Sequence, residues 1–439
     1  MHSLSRNLSA FAALLLITLI ALPLAAPAQD FTVLHYFDGA NGSNPQSPPV
    51  LAGDGNVYGA AGRGGANSAG LIYKLTPQGE LSTLYTFCSV ASCTDGQFPS
   101  FGPIPGKDGN LYGTTSNGGA NNLGEVYKLT PGGTLTVLYS FCALANCADG
   151  WDPISLVGDG KGGFYGTTGQ AGAHNNGTIF HLTSQGKLTT LYNFCSQKNC
   201  ADGTGNFVGS APIIGADGNI YGLTANGGND DPLTCYAQGC GTVFEITPQG
   251  QFSTLHTFCN VAGCTDGALP VWMIQGSDGN FYGTTSSGGI RSTPGGTVFK
   301  FTPGGTLTTL YSFCAAKACG SGYAPHDLIQ GTGGTLYGTT TFGGNEDQQC
   351  QNIGCGTIFS LTPPGAFESL HSFEFSEGYA PSGVVQSSSN TLEGTTSSGG
   401  TGSFGSIFSL TTETESFSRT MPAAGTDVDI RETNLKAAQ

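Results

Sequence analysis

Short apolar runs, four to a unit, alternate with turn-forming residues along most of the chain. In one representative unit the runs are Val271–Gln275, Phe281–Thr285, Thr297–Thr302 and Leu307–Phe313. Asp-Gly and Pro-Gly-Gly separate several of these runs, and glycine accepts the positive φ that tight hairpin turns require. The third and fourth runs have apolar residues on both faces, which predicts strands covered on both sides. Each unit is therefore expected to form a four-stranded antiparallel sheet.

The unit occurs seven times. Its most regular segment is Tyr-Gly-Thr-Thr, which begins at Tyr112, Tyr165, Tyr282 and Tyr337 and recurs with changes at Tyr58, Tyr221 and Glu393. Successive copies begin 54, 53, 56, 61, 55 and 56 residues apart, a spacing typical of repeat architectures. Four antiparallel strands buried on both faces describe the blade of a β-propeller. An open β-solenoid is the alternative, but its coils are shorter and it would leave sheet edges exposed.

The fourth runs indicate how the ring closes. The first of them, Phe31–Phe37, precedes the first Tyr-Gly segment, whereas the stretch 413–420 after the last segment retains only Phe417 of the pattern. The seventh blade therefore lacks a fourth strand of its own, and the N-terminal strand can supply it. We predict an all-β protein whose residues 29–411 form a propeller of seven four-stranded blades, closed by the N-terminal strand.

The two ends of the chain differ from the repeats. Arg6, the apolar stretch Phe11–Leu24 and the small residues Ala26 to Ala28 predict that residues 1–28 are a signal peptide. The apolar stretch is too short to indicate a membrane anchor. Residues 412–439 are a polar C-terminal tail. We therefore expect a protein that is secreted or periplasmic after removal of the signal peptide.

All 14 cysteines fall into pairs with four residues between the partners. Five pairs follow a fourth strand, and two lie in enlarged loops before a third strand. In an exported chain this spacing favours local disulfides, each worth about 2 kcal/mol by the chain-entropy estimate. Zinc binding is the alternative, but no histidine accompanies the pairs. The predicted disulfides are Cys88–Cys93, Cys142–Cys147, Cys195–Cys200, Cys235–Cys240, Cys259–Cys264, Cys314–Cys319 and Cys350–Cys355.

The net negative charge of the chain argues against negatively charged partners. The formal net charge is −15, which argues against nucleic acid and anionic membrane surfaces. His35, His256 and His371 occupy a position that is tyrosine in other copies, so we expect structural roles for them. The aspartates of the Asp-Gly turns are expected to form turn hydrogen bonds.

The segments 296–313 (GTVFKFTPGGTLTTLYSF) and 108–119 (DGNLYGTTSNGG) resemble the Gloeo/Verruco (GloVer) tandem repeat of exported bacterial proteins of the choice-of-anchor type. The resemblance covers about residues 31–411. It implies an exported repeat protein, and it brings no established activity and no catalytic residues. Members often end in a sorting or anchoring segment, from which the polar residues 412–439 depart.

Function is expected where the repeat is broken. The fourth and sixth copies have longer segments between the second and third strands, and the fifth copy lies between them. Clustered acids and amides suit calcium or a hydroxyl-rich glycan. We therefore expect one binding site bordered by Asp230, Asp231, Arg291, Glu346 and Asp347.

The two tryptophans are the other departures. Trp151 lies in an Asp-Gly-Trp-Asp-Pro loop, where it could stack on a sugar ring or cover the disulfide loop. Trp272 is expected in the core, since it lies in a first strand.

The sequence favours a monomeric binding or scaffold module for an extracellular glycan or protein ligand. No catalytic residue is assigned and no cofactor is expected, although calcium fits the acidic loops. The alternative is a glycan hydrolase or lyase on the same fold, because propellers host both kinds of function. A converging pair of carboxylates would favour the enzyme.

Overall fold

The computed structural model describes residues 29–99, 101–205, 211–228, 235, 238–290, 295–315, 319–345, 347–363 and 365–412. The predicted signal peptide and the tail from residue 413 lie outside these ranges. The described residues contain no α-helix, and therefore none that could cross a membrane. They form seven antiparallel sheets, one for each repeat, which confirms the predicted seven-bladed β-propeller.

Each blade has strands A to D in order from the central axis outward. Blade 1 contains β2 (Val50–Leu51), β3 (Val57–Ala61), β4 (Leu71–Leu75) and β5 (Leu81–Thr86). Blade 2 contains β6 (Ile104–Pro105), β7 (Leu111–Thr115), β8 (Glu125–Leu129) and β9 (Leu135–Ser140). Blade 3 contains β10 (Trp151–Gly158), β11 (Phe164–Gln170), β12 (Thr178–Leu182) and β13 (Leu188–Asn193). Blade 4 contains β14 (Ile213–Ile214), β15 (Ile220–Thr224), β16 (Thr242–Ile246) and β17 (Phe252–Thr257).

The last three blades complete the ring. Blade 5 contains β18 (Ala268–Gln275), β19 (Phe281–Ser287), β20 (Thr297–Phe301) and β21 (Leu307–Ser312). Blade 6 has a divided strand A and contains β22 (Tyr323–Pro325), β23 (Ile329–Gln330), β24 (Leu336–Phe342), β25 (Thr357–Thr362) and β26 (Ala366–Ser372). Blade 7 contains β27 (Tyr379–Ser388), β28 (Thr391–Ser398), β29 (Ser406–Thr411) and, as strand D, β1 (Asp30–Tyr36).

The N-terminal strand closes the ring, as predicted. Strand β1 pairs antiparallel with β29, from Asp30 opposite Thr411 to Tyr36 opposite Ser406. The Phe31 ring stacks on His371 of blade 6, with ring centroids 3.8 Å apart. The first strand of the propeller therefore joins its last blade to the preceding one.

The core lies between the blades. Each strand D is followed by a fully buried phenylalanine that packs on an aromatic ring of strand C in the next blade, with centroids 5.1–5.7 Å apart. The seven pairs are Phe37–Tyr73, Phe87–Tyr127, Phe141–Phe180, Phe194–Phe244, Phe258–Phe299, Phe313–Phe359 and Phe373–Phe408. Aromatic burial of this kind contributes stability beyond the buried area alone.

Strands C and D differ in how they are covered. In strand C, Val298 and Phe299 are both buried, as predicted from apolar residues on both faces. In strand D, Leu310 and Tyr311 are only partly buried. The prediction of full cover was therefore wrong for strand D, which is the outermost strand of its blade and has no neighbour on one edge.

Candidate functional site

One end of the propeller carries every disulfide. The loops that join strand B to strand C, and strand D to the next blade, leave the blades at this end, which we call the disulfide face. All seven predicted cysteine pairs are bonded there, with Cα–Cα distances of 4.0–5.3 Å. Their sulfurs are therefore not available as thiolate ligands for zinc. Disulfides in this number are typical of extracellular and periplasmic proteins.

Several of these loops are each held by a buried aspartate of their own. Asp149 is fully buried and accepts hydrogen bonds from the Tyr139 hydroxyl at 2.8 Å and from the backbone N–H of Ala143 and Leu144. Asp95 and Asp202 make the same three contacts in their own copies. These aspartates are thus committed to holding the disulfide loops.

The histidines at the tyrosine position also lie close to a polar side chain of the loop that follows, although the pair in blade 4 is not within hydrogen-bond geometry. His256 lies 3.4 Å from Asp266, His371 lies 3.0 Å from Glu377, and His35 lies 2.9 Å from Asn41. This supports the structural role that the repeat pattern predicted for them.

Each of these loops is also tied to the next blade. The carbonyl of the second cysteine accepts a hydrogen bond from a glycine N–H in the following B–C loop, as in Gly119 to Cys93 at 3.0 Å and Gly289 to Cys264 at 2.9 Å. The same bond is present at Cys147, Cys200 and Cys319. The loops of the disulfide face therefore form a connected and preorganised surface.

Of the six residues predicted to bind a ligand, two lie within the described ranges, Asp347 and Trp151. Asp230, Asp231, Arg291 and Glu346 lie outside the described residues. Asp347 is described, and its two carboxylate oxygens accept hydrogen bonds from the backbone N–H of Gln349 at 2.8 Å and of Phe375 at 3.1 Å. Its carboxylate thus fixes the local loop.

Trp151 is partly buried at the start of β10, in blade 3. Its side chain packs on the apolar cluster between blades 2 and 3 that includes Tyr112, Phe141 and Phe164. Asp347 belongs to blade 6, so the two described members of the predicted set lie in blades that are not neighbours.

The disulfide face holds a polar pocket between blades 1 and 2. Its volume is about 330 Å³, which is within the range of small-molecule sites. The loops before strand A supply Asn44, Gln46, Phe98 and Pro99, and the B–C loops supply Gly62, Arg63, Ser116 and Asn117. We call this site the amide pocket, because Asn44, Gln46 and Asn117 provide side-chain amides.

The walls of the amide pocket are fixed by paired backbone bonds. Ser43 and Arg63 exchange hydrogen bonds of 2.9 and 3.0 Å, and Gln97 and Asn117 exchange bonds of 2.9 and 3.2 Å. The Arg63 guanidinium lies 5.3 Å from the centre of the Phe98 ring. The side-chain oxygen of Asn44 is buried without a partner among the described residues. An unpaired buried acceptor of this kind favours a ligand hydroxyl or a bound water.

Sequence reasoning missed the amide pocket. One signal was present, since Arg63 precedes the Gly-Gly pair of its B–C loop, where the other copies have a neutral residue such as Asn117, Asn226, Ser287 or Ser398. Four other members, Asn44, Gln46, Phe98 and Pro99, come from the loops before strand A of blades 1 and 2. Their convergence depends on how neighbouring blades pack, which the pattern within one copy does not reveal.

A second cavity lies on the central axis. In each copy we consider the residue ten positions before Tyr58 or before the residue that matches Tyr58. These residues are Pro48, Gly102, Ser155, Ala211, Trp272, Asp327 and Gly383. Five of these, from blades 1 to 5, line a mostly apolar cavity of about 170 Å³. This volume is below the usual range for ligand pockets. The axis is therefore a poor candidate for a large ligand. Trp272 is partly buried in strand A, where it lies against this cavity and the core.

Asp327 is the one ionisable member of that axial set, and it is fully buried. It lies where strand A of blade 6 is interrupted, and its carboxylate accepts hydrogen bonds from Thr339 and from the Val384 N–H. Burial raises the pKa of Asp327, although the Thr339 hydroxyl opposes this shift. Burial lowers the pKa of the adjacent His326. The Asp327 carboxylate replaces ladder bonds of the interrupted strand, which is a structural role.

Similar solved structures include two extracellular domains from B. thetaiotaomicron, each from a protein assigned as a hybrid two component system. One is 13% identical over 88% of this chain and 41% of its own, with a TM-score of 0.53. The other is 10% identical over 89% of this chain and 43% of its own, also with a TM-score of 0.53. At these identities the likeness shows the fold alone, and this chain spans less than half the length of either domain.

A structure named as a 6-phosphogluconolactonase from Bacteroides fragilis is 16% identical over 78% of this chain and 88% of its own. Its TM-score is 0.47, so it carries no functional argument. No curated protein sequence matches the chain.

The family is shown by the sequence itself. The profile of the Gloeobacter/Verrucomicrobia repeat matches residues 23–236 and 208–439, which together cover nearly all of the chain. This agrees with seven copies of one unit folded into seven equivalent blades. The protein therefore belongs to the Gloeobacter/Verrucomicrobia repeat family.

Proposed function

We propose that this protein is an exported, monomeric binding module that holds a hydroxyl-rich ligand, such as a glycan, on its disulfide face. The observation that carries the proposal is the amide pocket, where side-chain amides, a guanidinium and an aromatic ring meet between rigid walls. Amide groups both donate and accept hydrogen bonds, and this matches the dual character of sugar hydroxyls.

The loops of blades 4 to 6 belong to the same proposal. Asp230, Asp231, Arg291, Glu346 and Asp347 would extend the binding surface around the same face, and calcium is the metal that their oxygen ligands would suit. The disulfides Cys235–Cys240 and Cys350–Cys355 restrain the two longer loops, which lowers the entropy lost on binding.

A glycan array with three proteins tests the proposal. The wild type is compared with Arg63→Ala/Asn117→Ala in the amide pocket and with a variant in which Asp230, Asp231, Glu346 and Asp347 are all changed to Ala. We expect wild-type binding to selected glycans and a loss of about tenfold or more in the amide-pocket variant, since each lost polar contact costs about 1–3 kcal/mol.

Two results would contradict the proposal: no glycan bound by the wild type, or equal binding by both variants and the wild type. The enzyme alternative is followed in the same samples. Shortened or unsaturated products released from a bound glycan would favour a hydrolase or a lyase.

A further inference from the structure

A basic cleft lies on the end of the propeller opposite the disulfide face. The turns between strands A and B leave the blades at this end. In blades 1, 2, 4 and 5 an aspartate lies four residues before the motif tyrosine, at Asp54, Asp108, Asp217 and Asp278. Each carboxylate accepts hydrogen bonds from the tyrosine hydroxyl and from a backbone N–H of the turn. Blade 3 has Lys161 in this position, which reverses the charge.

The turn of blade 3 is stabilised in another way. Asp159, two residues earlier, accepts hydrogen bonds from the N–H of Lys161 at 2.7 Å and of Gly163 at 2.8 Å. Its other carboxylate oxygen lies 2.9 Å from His181. Burial raises the pKa of Asp159, but the His181 contact and the two backbone bonds outweigh this and hold it below its usual value. The Lys161 side chain therefore has no role in building the turn.

Blade 2 adds a second unusual lysine. Lys107 lies five residues before Tyr112, where the corresponding residues are Gly53, Ala216, Ser277 and Thr332 in other blades. The Lys107 ammonium donates to the carbonyl oxygen of Gly160 at 3.3 Å, across the gap between blades 2 and 3. Lys107 and Lys161 are exposed, and neither forms an ion pair with a described carboxylate.

These two turns border a cleft of about 760 Å³ between blades 2 and 3, which is a typical size for a small-molecule site. Three lysines line it, Lys107, Lys128 and Lys161, and the lining contains one acidic residue, Asp108. Lys128 and Asp108 form an ion pair of 3.0 Å. Two positive charges thus remain unpaired in the cleft of a protein whose net charge is −15.

The remaining walls are mostly apolar or bare backbone, and Ser184 adds one hydroxyl. Ile104, Tyr112, Leu138 and Phe164 contribute apolar surface. Gly158 and Gly160 also line the cleft, and a Cβ added to either would meet nothing within 4 Å. A ligand can therefore approach the backbone between the two lysines.

We propose that this cleft, which we call the lysine cleft, binds a small organic anion whose phosphate or carboxylate lies between the ammonium groups of Lys107 and Lys161. The body of the ligand rests against Ile104 and Leu138. The site is separate from the disulfide face and does not depend on the function proposed there.

Isothermal titration calorimetry at low salt tests this proposal. Glycerol 3-phosphate and citrate are the phosphate and carboxylate probes, and glycerol is the neutral control. The variants are Lys107→Ala and Lys161→Asp, of which the second introduces the residue found in blades 1, 2, 4 and 5. Lys300→Ala is the matched control, because Lys300 pairs with Asp278 in blade 5 as Lys128 does with Asp108.

We expect the wild type to bind at least one anion and not glycerol, with affinity that falls as salt is added. Each cleft variant should bind about tenfold or more weakly, and Lys300→Ala should bind like the wild type. Stronger binding of one probe identifies the anionic group. Failure of both anions to bind, or equal affinity in Lys161→Asp and the wild type, would overturn the proposal.

Discussion

At the scale of single residues, the recurring Tyr-Gly-Thr-Thr segment follows from three separate contacts. In blade 5, the Tyr282 hydroxyl donates to the Asp278 carboxylate at 2.9 Å. The second threonine, Thr285, shares a buried hydroxyl contact of 2.9 Å with Thr297 of the neighbouring strand. The glycine leaves room for the strand C ring that forms the core between the blades. The sequence predicted the turn contact but gave no reason for the glycine, because the ring that requires it lies on another strand.

Gly283→Ala should therefore destabilise the protein. The added Cβ would lie 2.5 Å from the Trp272 carbonyl oxygen and closer still to the Phe299 ring, so packing must shift. We expect a loss of about 1–3 kcal/mol in the free energy of unfolding, measured by chemical denaturation. Gly304→Ala in the same blade is the control, since its Cβ would meet nothing closer than 3.8 Å. Equal stability of the two variants would show that the glycine is not needed for packing.

In blade 2, Glu125 replaces one of the two hydroxyl residues that pair between strands B and C in blades 3, 4 and 5. It occupies the position of Thr178, Thr242 and Thr297, is fully buried, and has no hydrogen-bond partner for either carboxylate oxygen among the described residues. Burial, and then the charge of Asp95, raise the pKa of Glu125 to about 9. The carboxyl group is therefore protonated in the folded protein at neutral pH but ionised in the unfolded chain, whose pKa is about 4.3.

This difference predicts a dependence of stability on pH. The folded state holds a proton that the unfolded state releases above about pH 4.3, so stability should fall as pH rises toward 9. Glu125→Gln removes the titration. Its advantage over the wild type should grow between pH 5 and pH 8, by up to about 1.4 kcal/mol per pH unit. Glu125→Thr, which restores the residue of other blades, should show the same trend. A constant difference across this range, by urea denaturation, would contradict the assignment.

At the scale of elements, the sequence predicted strands B, C and D better than strand A. Strands B to D carry long apolar runs, and their positions follow from the repeat. Strand A has only two residues in blades 1, 2 and 4, and in blade 6 it is interrupted at Asp327. Its residues face the axis, where each blade meets different neighbours. Hence side chains such as Asp327 replace regular pairing at positions that local periodicity does not reveal.

The closing strand gives the clearest test at this scale. Deletion of residues 30–36 would expose the edge of β29 and remove the Phe31 ring from His371 and Phe373. We expect a large drop in melting temperature, or aggregation through the open edge. Deletion of residues 421–439, outside the predicted propeller, is the control and should leave the melting temperature unchanged. If the two deletions have the same effect, the N-terminal strand does not hold the ring closed.

At the scale of the whole molecule, the fold was predictable but most of the candidate sites were not. The number of blades and the cysteine pairs follow from one repeated unit. The amide pocket and the lysine cleft instead require residues from two neighbouring blades. In each site a single residue, such as Arg63 or Lys161, differs from the residue at the same position in the other copies. Each looked like ordinary variation within its own copy. The binding site predicted at the loops of blades 4 to 6 remains a prediction.

The central proposal is that a glycan binds at the disulfide face. Hydrogen–deuterium exchange with a glycan identified on the array locates the contact directly. We expect slower exchange in residues 43–46, 62–65, 97–99 and 116–119, which form the walls of the amide pocket, with or without added protection in 226–241 and 342–356. Unchanged exchange throughout the disulfide face, with glycan protection confined to the turns at 106–110 and 158–163, would contradict this proposal.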